Sequence, residues 1–311
     1  MDRPGGSGGF AVGIDIGGTK TAVGLVDEQG RVLARLEMPT RPELGFERAV
    51  RQWIRAVEQL LEQVRLETTQ LRGIGVGCAG PVDPRTGRIH NPYTLPGWED
   101  CDVVTALQER FGVKVRLEND ADAAVVGEWW VGAARGHDPV VMLTFGTGVG
   151  GGILLGGRIY RGSRGQHPEL GHVLVSESGP RCYCGMEGCL ESLASGTALA
   201  TAGTPHGWTE ASAVLTAAEQ GHPVAQAIVA RATRAAADAA WTLAHAVLPA
   251  RFVLGGGLMR RLFDRFAAAM RERWARATQI RGHSIEVCRA ALGSDAGLVG
   301  AAALGLGRLP E

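Results

Sequence analysis

The chain has 311 residues, 45% of them hydrophobic and 21% charged, which is the composition of an ordinary globular protein with enough length for two domains. Its 32 Lys and Arg balance 32 Asp and Glu, so no global field recruits nucleic acid or an anionic membrane. No apolar run reaches the roughly 20 residues that span a bilayer, and MDRPGGSGG lacks the apolar core of a signal peptide. A cytoplasmic protein without nucleic-acid or membrane partners is therefore expected.

After a flexible glycine-rich start, FAVGIDI (10–16) reads as a buried strand, GGTK (17–20) as a tight turn and TAVGLV (21–26) as the returning strand. DEQG (27–30) turns again into RVLARLE, which completes a β-meander. FERAVRQWIRAVEQLLEQV (46–64) carries its apolar residues at helical spacing, and GIGVG (73–77) follows as a short buried strand. VKVRLENDADAAVVGEWW (113–130) reads as a strand running directly into a helix, with Asn119 and Asp120 at the junction. PVVMLTFGTGVGGGILLGGRIY (139–160) repeats the opening order of apolar strand, Gly-Thr turn, strand, Gly turn and strand, and so implies two similar lobes. Residues 223–248 read as an alanine-rich helix, RFVLGGG (251–257) as a strand ending in three glycines, and DAGLVGAAALGL (295–306) as a helix of small residues. The alternation of strands and helices gives an α/β class.

DIGGTK (15–20) has the parts of a phosphate cradle. Gly17 and Gly18 let backbone N–H groups approach an anion, Thr19 adds a hydroxyl, Lys20 a cation, and Asp15 a carboxylate for Mg²⁺. It matches neither GxxxxGK[ST] nor GxGxxG. A single glycine turn is ordinarily a hairpin, but a second copy in FGTGVGGG (145–152) suits a clamp on a polyphosphate from both sides. In LENDADAA (117–124) a helix cap explains an Asn or Asp on its own. A carboxylate at such a junction is also where a phosphotransferase places the base that takes a proton from a hydroxyl. Asp120 can serve both ends, and Asp122 should lie on another helical face.

His172, Cys182, Cys184 and Cys189 supply one imidazole and three thiols within a short stretch. Reduced thiols in this number suit a closed, structural Cys₃His zinc site better than a disulfide, which leaves one cysteine over. Cys78, Cys101 and Cys288 sit among apolar neighbours as small hydrophobes.

Taken together, DIGGTK, NDADAA, FGTGVGGG, ELGH (169–172) and CYCGMEGCLE (182–191) stand in an order that resembles the ROK (repressor, open reading frame, kinase) family, over nearly the whole chain. The resemblance implies a two-lobed actin-like ATPase (ribonuclease H-like) fold with a duplicated β-meander and an interlobe cleft. It gives a small lobe over 1–118, on which the helix near 297–311 packs back, and a large lobe over 119–296 with the zinc loop. It also implies an ATP- and Mg²⁺-dependent hexokinase of glucokinase type, a homodimer or dimer of dimers, in which Asp120 is the base acting on the sugar 6-hydroxyl. Gly80, Asn119, Glu169, His172 and Glu191 would contact the sugar, with the other ring nitrogen of His172 on zinc. Asp15, Gly17, Gly18, Thr19 and Lys20 would form one phosphate loop and Gly146, Thr147 and Gly148 the other, with Gly255, Gly256 and Gly257 on the adenosine side.

Sugar kinases of this family often carry Ala-Gly before the Glu of ELGH, where this chain has His167 and Pro168. That feature resembles a fructokinase-like branch, whereas NPYTLPGWED (91–100) resembles glucokinase-like members. His167 is open to two readings, a sugar contact or a loop residue. Kinases of mannose, fructose or N-acetylhexosamines are the neighbouring alternatives. A sugar-responsive repressor on the same fold would need a DNA-binding segment before the first strand, which here begins by residue 10.

Overall fold

A computed structural model describes residues 9–280 and 282–309; the start of the chain, expected to be flexible, lies outside the described residues apart from Gly9. In chain order the elements are β1 (Phe10–Ile16), β2 (Lys20–Asp27), β3 (Val32–Pro39), α1 (Phe46–Val64) and β4 (Leu71–Cys78). Next come β5 (Val82–Asp83), β6 (Arg88–Ile89), β7 (Cys101–Asp102), α2 (Val103–Phe111), β8 (Lys114–Asn119) and α3 (Asp120–Trp130). The second meander is β9 (Val140–Phe145), β10 (Val149–Leu155) and β11 (Arg158–Ile159), followed by α4 (Leu190–Ala194), α5 (Gly196–Gly203), α6 (Ala211–Glu219) and α7 (Pro223–Val247). The chain then forms β12 (Arg251–Gly255), α8 (Met259–Ala275), β13 (Glu286–Arg289) and α9 (Ala296–Gly305). No helix among the described residues is long and apolar enough to cross a membrane.

Two compact units result. The first takes the chain up to Gly136, residues Leu154–Pro168, and the segment from Ser294 onward; the second takes His137–Ile153 and Glu169–Gly293. Where the sequence reading divided the chain after residue 118, the first unit runs on through α3. The reason is packing, since α3 lies against α9, and α9 lies against β1 and β4.

The first unit is built on a sheet of order β3-β2-β1-β4-β8. Its meander strands β1, β2 and β3 are antiparallel, while β4 and β8 join β1 in parallel. In the second unit β10, β9, β12 and β13 are neighbours in that order, with β9, β12 and β13 parallel. The strand plan is therefore repeated, as the duplicated Gly-Thr turn implied.

On one face of the first sheet, α1 buries Val50, Trp53, Val57, Leu60 and Leu61 at helical spacing and ends on Arg65 in the left-handed region, whose N–H reaches back to the last turn. Trp53 packs edge-on to Trp98 at 5.6 Å, and Trp98 donates its indole N–H to the Pro42 carbonyl at 3.2 Å. The Leu-Pro-Gly-Trp loop is thus anchored in the core by its own tryptophan.

The other face is covered by α9, whose small residues are a steric requirement. A Cβ at Gly75 would stand 1.7 Å from the Ala301 carbonyl oxygen, and one at Gly300 would stand 1.6 Å from that of Ala123. Backbone-to-backbone approach this close leaves no room for a methyl group. Gly75→Ala is expected to lower the melting temperature by about 3–10 °C, the range for overpacking a core of this size. Gly257→Ala, where a Cβ would meet nothing within 4 Å, should leave it within about 1 °C by the same relation. Differential scanning calorimetry of the two variants decides the point.

Candidate functional site

Parallel register places the first group of candidate residues. Ile16 pairs with Cys78, and Cys78 with Asn119, so β1, β4 and β8 end on one line. Three loops leave from that line: Gly17–Thr19, Ala79–Gly80 and the Asn119–Asp120 junction. Such carboxyl-terminal strand ends are where open α/β sheets hold ligands.

Asn119 is the cap of α3. Its Oδ1 accepts from the backbone N–H of Ala121 at 2.8 Å and of Asp122 at 3.2 Å. The amide nitrogen remains as a donor and lies toward Gly80, where an added Cβ would come within 2.7 Å of it. Because Asn119 does the capping, Asp120 begins the first turn with its carboxylate only partly buried, its Oδ1 accepting the Ala121 N–H at 2.8 Å. Asp122, as expected, faces elsewhere and is fully buried.

Asp15 ends up largely enclosed. A Cβ at Gly297 would approach its carboxylate to 2.6 Å, and Asp120 adds a second negative charge nearby. Burial first, and Asp120 second, push the Asp15 carboxyl up to about 7, against smaller opposing effects of Lys20 and Arg35. Lys20 itself, expected to face phosphate, is on the exposed edge and pairs with Glu37 at 3.1 Å.

The turn before Lys20 is held from two sides. Gly17 N–H bonds the Lys20 carbonyl at 3.0 Å, the Thr40 hydroxyl donates to the Gly17 carbonyl at 2.7 Å, and a Cβ at Gly18 would meet Thr94 at 3.0 Å. Thr94 belongs to the loop anchored by Trp98 and is fixed through Asn91, which also donates to the Ala79 carbonyl at 3.0 Å. The loop that resembles glucokinase members therefore braces two of the three strand-end loops.

In the second unit the turn after β9 closes by a Gly146 N–H to Gly148 carbonyl bond of 2.9 Å. A Cβ at Gly146 would meet nothing within 4 Å, so packing does not require glycine there. Gly255 pairs with Thr144 at the ends of β12 and β9, which puts the glycine run beside this turn. Gly256 has φ of +88° and would otherwise strike the Phe145 carbonyl at 2.3 Å. Sequence reasoning did not single out Gly196 or Thr197, yet Gly196 N–H holds the Gly146 carbonyl at 2.8 Å and Thr197 holds that of Thr147 through its N–H and its hydroxyl. Nothing in their residue types marks them.

Glu191 joins this turn to the cysteine loop. Its Oε2 accepts from Val149 N–H at 2.7 Å, and a Cβ at Gly148 would fall 2.6 Å from the same oxygen. ELGH is fixed to the same strand, because a Cβ at Gly171 would lie 2.0 Å from the Val149 carbonyl oxygen. The side chain of Glu169 is exposed.

His172, Cys182, Cys184 and Cys189 converge, with their ligand atoms all within 4.8 Å of one another. His172 Nδ1 is 3.5 Å from Cys182 Sγ, and the Cys184 and Cys189 sulfurs are 3.4 Å apart, free thiols in a non-disulfide separation. One nitrogen and three sulfurs at these separations fit a tetrahedral ion of zinc type. His172 Nε2 points away from the thiols to the Tyr183 hydroxyl at 3.1 Å. Tyr183, which sequence reasoning passed over, has its phenol pushed up, first by burial and then by Glu191 and Glu169, so both carboxylates gather around it. Its position between two metal-ligand cysteines was the available signal.

Comparison with known proteins agrees with this geometry. The ROK family model matches residues 11–308. The glucokinase of Thermotoga maritima is 38% identical over 266 residues, covering 80% of this chain and 82% of that protein. The ROK hexokinase of Thermus thermophilus has a TM-score of 0.84 at 36% identity, covering 96% and 98% of the two chains. A ROK glucokinase from Streptomyces griseus, solved with glucose and AMPPNP, has a TM-score of 0.79 at 34% identity, covering 96% and 100%. With the strand-end loops, the second glycine turn and the Cys₃His cluster in place, the chain belongs to the ROK family and has the actin-like ATPase fold of its sugar kinases.

Proposed function

We propose that this ROK kinase is an ATP-dependent glucokinase that phosphorylates the 6-hydroxyl of glucose, with Asp120 as general base. The observation that carries the assignment is the line of strand ends, where Asp120 lies close enough to Asp15 to raise its pKa while a glycine turn opens beside both. Relatives named glucokinase or hexokinase, one of them holding glucose and an ATP analogue, support the substrate pair.

Each residue has a separate duty under this reading. Asp120 takes the proton as the sugar oxygen attacks in line, and Asn119 offers its amide N–H to a neighbouring hydroxyl. Glu169, Gly80, Glu191 and the Nε2 side of His172 complete the sugar's contacts. Asp15 would hold Mg²⁺, which when bound neutralises charge on the phosphates. Backbone N–H groups of Gly18 and Thr19 in one turn and of Thr147 and Gly148 in the other would receive phosphate oxygens, with Gly255–Gly257 toward the adenosine. Zinc held by His172, Cys182, Cys184 and Cys189 would be structural, and it would fix the ring orientation of His172. The same reading includes a cytoplasmic setting and a homodimer; a light-scattering mass equal to one chain would remove the dimer.

Asp120→Asn should lower kcat by about 10²- to 10⁴-fold, the usual span for a general base, and leave the KM for glucose within a few-fold. A coupled ADP-release assay reads this, and sugar-dependent turnover near the parent level would refute the role of Asp120. For the metal, Cys184→Ser should remove bound zinc measured by elemental analysis and weaken glucose binding measured by calorimetry. Loss of zinc with glucose affinity unchanged would show that the cluster does not support the sugar site.

A further inference from the structure

The chain from β11 to Pro168 carries two side chains that reach the strand-to-helix junction on either side of Asp120. Arg161 forms an ion pair with Glu118, whose side chain is 3% exposed, and Glu118 also accepts the Asn119 N–H at 3.2 Å. His167 Nδ1 is 2.8 Å from Asp122 Oδ2, with side-chain exposures of 10% and 0%. Glu118 and Asp122 stand two residues before and two residues after Asp120. The segment between the two contacts is itself closed, by Gly162 N–H to the Gln166 carbonyl at 2.8 Å, Gly165 N–H to the Gly162 carbonyl at 2.8 Å, and Arg164 N–H to Gln166 Oε1 at 3.2 Å. Arg161 and His167 are thus set at a fixed separation by their own turn.

Burying two carboxylates is costly unless each meets a donor of good geometry. Here Arg161 and His167, from one short segment, each supply a donor to one of these carboxylates. The Asp122 contact requires a proton on Nδ1 of His167, which fixes the tautomer and the ring plane. We propose that the Arg161–His167 turn is a two-point clamp on the junction bearing Asp120, and that His167 is a positioning residue for that base and not a sugar contact. The proposal rests on Asp120 being the base, and it resolves the two readings left open for His167.

The test uses a pair of substitutions with the full-length enzyme. His167→Asn places an amide N–H where Nδ1 stands and deletes the Nε2 side; His167→Gln does the reverse. A clamp requires the Nδ1 donor, so His167→Gln should lose about 10- to 100-fold in kcat, as for a base displaced by a fraction of an ångström to an ångström. His167→Asn should retain at least about tenfold more of kcat than His167→Gln on the same basis. In both, the KM for glucose and the ratio of turnover between glucose and mannose should stay close to the parent values. Should His167→Gln not fold, as thermal melting would show, Arg161→Met must give the same signature from the other contact, a lower kcat with KM and the hexose ratio unmoved. The clamp is overturned if Asn is as damaging as Gln, if the glucose-to-mannose ratio shifts, or if Arg161→Met has parent kcat. These results leave the base reading standing so long as Asp120→Asn is inactive; an active Asp120→Asn sinks both.

Discussion

The constraint on which the first unit depends is the common end line of β1, β4 and β8. It lets three loops meet at one place without any long-range adjustment, because parallel register converts sequence position directly into height along the sheet. The line exists only while the sheet is backed closely, and α9 does this through glycine-to-carbonyl approaches that a single methyl would break. A short helix of small residues near the end of the chain is therefore as necessary to the chemistry as the loops themselves. It also supplies Gly297, whose lack of a side chain makes room for the Asp15 carboxylate.

Electrostatics follow from the same arrangement. The enclosed carboxyl of Asp15, with the Asp120 carboxylate nearby, is unfavourable as an anion, and its pKa is pushed up to about 7. Lys20, turned to Glu37, offsets only a smaller part of that shift. The second unit braces its turn through hydrogen bonds to the turn's backbone. Glu191, Gly196 and Thr197 hold the glycine turn from behind, and Glu191 lies only two residues beyond the cysteine Cys189. The cysteine loop is in this way tied to the glycine turn through one carboxylate.

Much of this was legible in the sequence, for reasons that can be named. β1 and α1 fall on their expected residues because each has a single clear period, apolar throughout for the strand and apolar every third or fourth residue for the helix. The repeat of the Gly-Thr turn announced two copies of one strand plan, and the Cys₃His set was readable because its ligands are close in sequence. The division between units was not, since α3 is assigned by its packing on α9 some 170 residues away. Neither was the direction of Lys20, because an exposed lysine follows whichever carboxylate the edge strand presents. Gly196 and Thr197 make their contacts through geometry that no residue pattern encodes.

The helix α3 shows why residue type alone could not separate capping from catalysis. Three polar residues stand at its start, and sequence reasoning had to let Asp120 serve both purposes. In the structure Asn119 satisfies the first orphan N–H groups, Asp122 turns inward to His167, and Asp120 stands between them with its Oδ1 on the Ala121 N–H. An amide at the cap carries no charge, so the positive end of the helix dipole acts undiminished on the residue that follows. The division of labour among Asn119, Asp120 and Asp122 therefore depends on which of them is uncharged: exchanging Asn and Asp at 119 and 120 would preserve a capped helix and lose the placement of the carboxylate at 120.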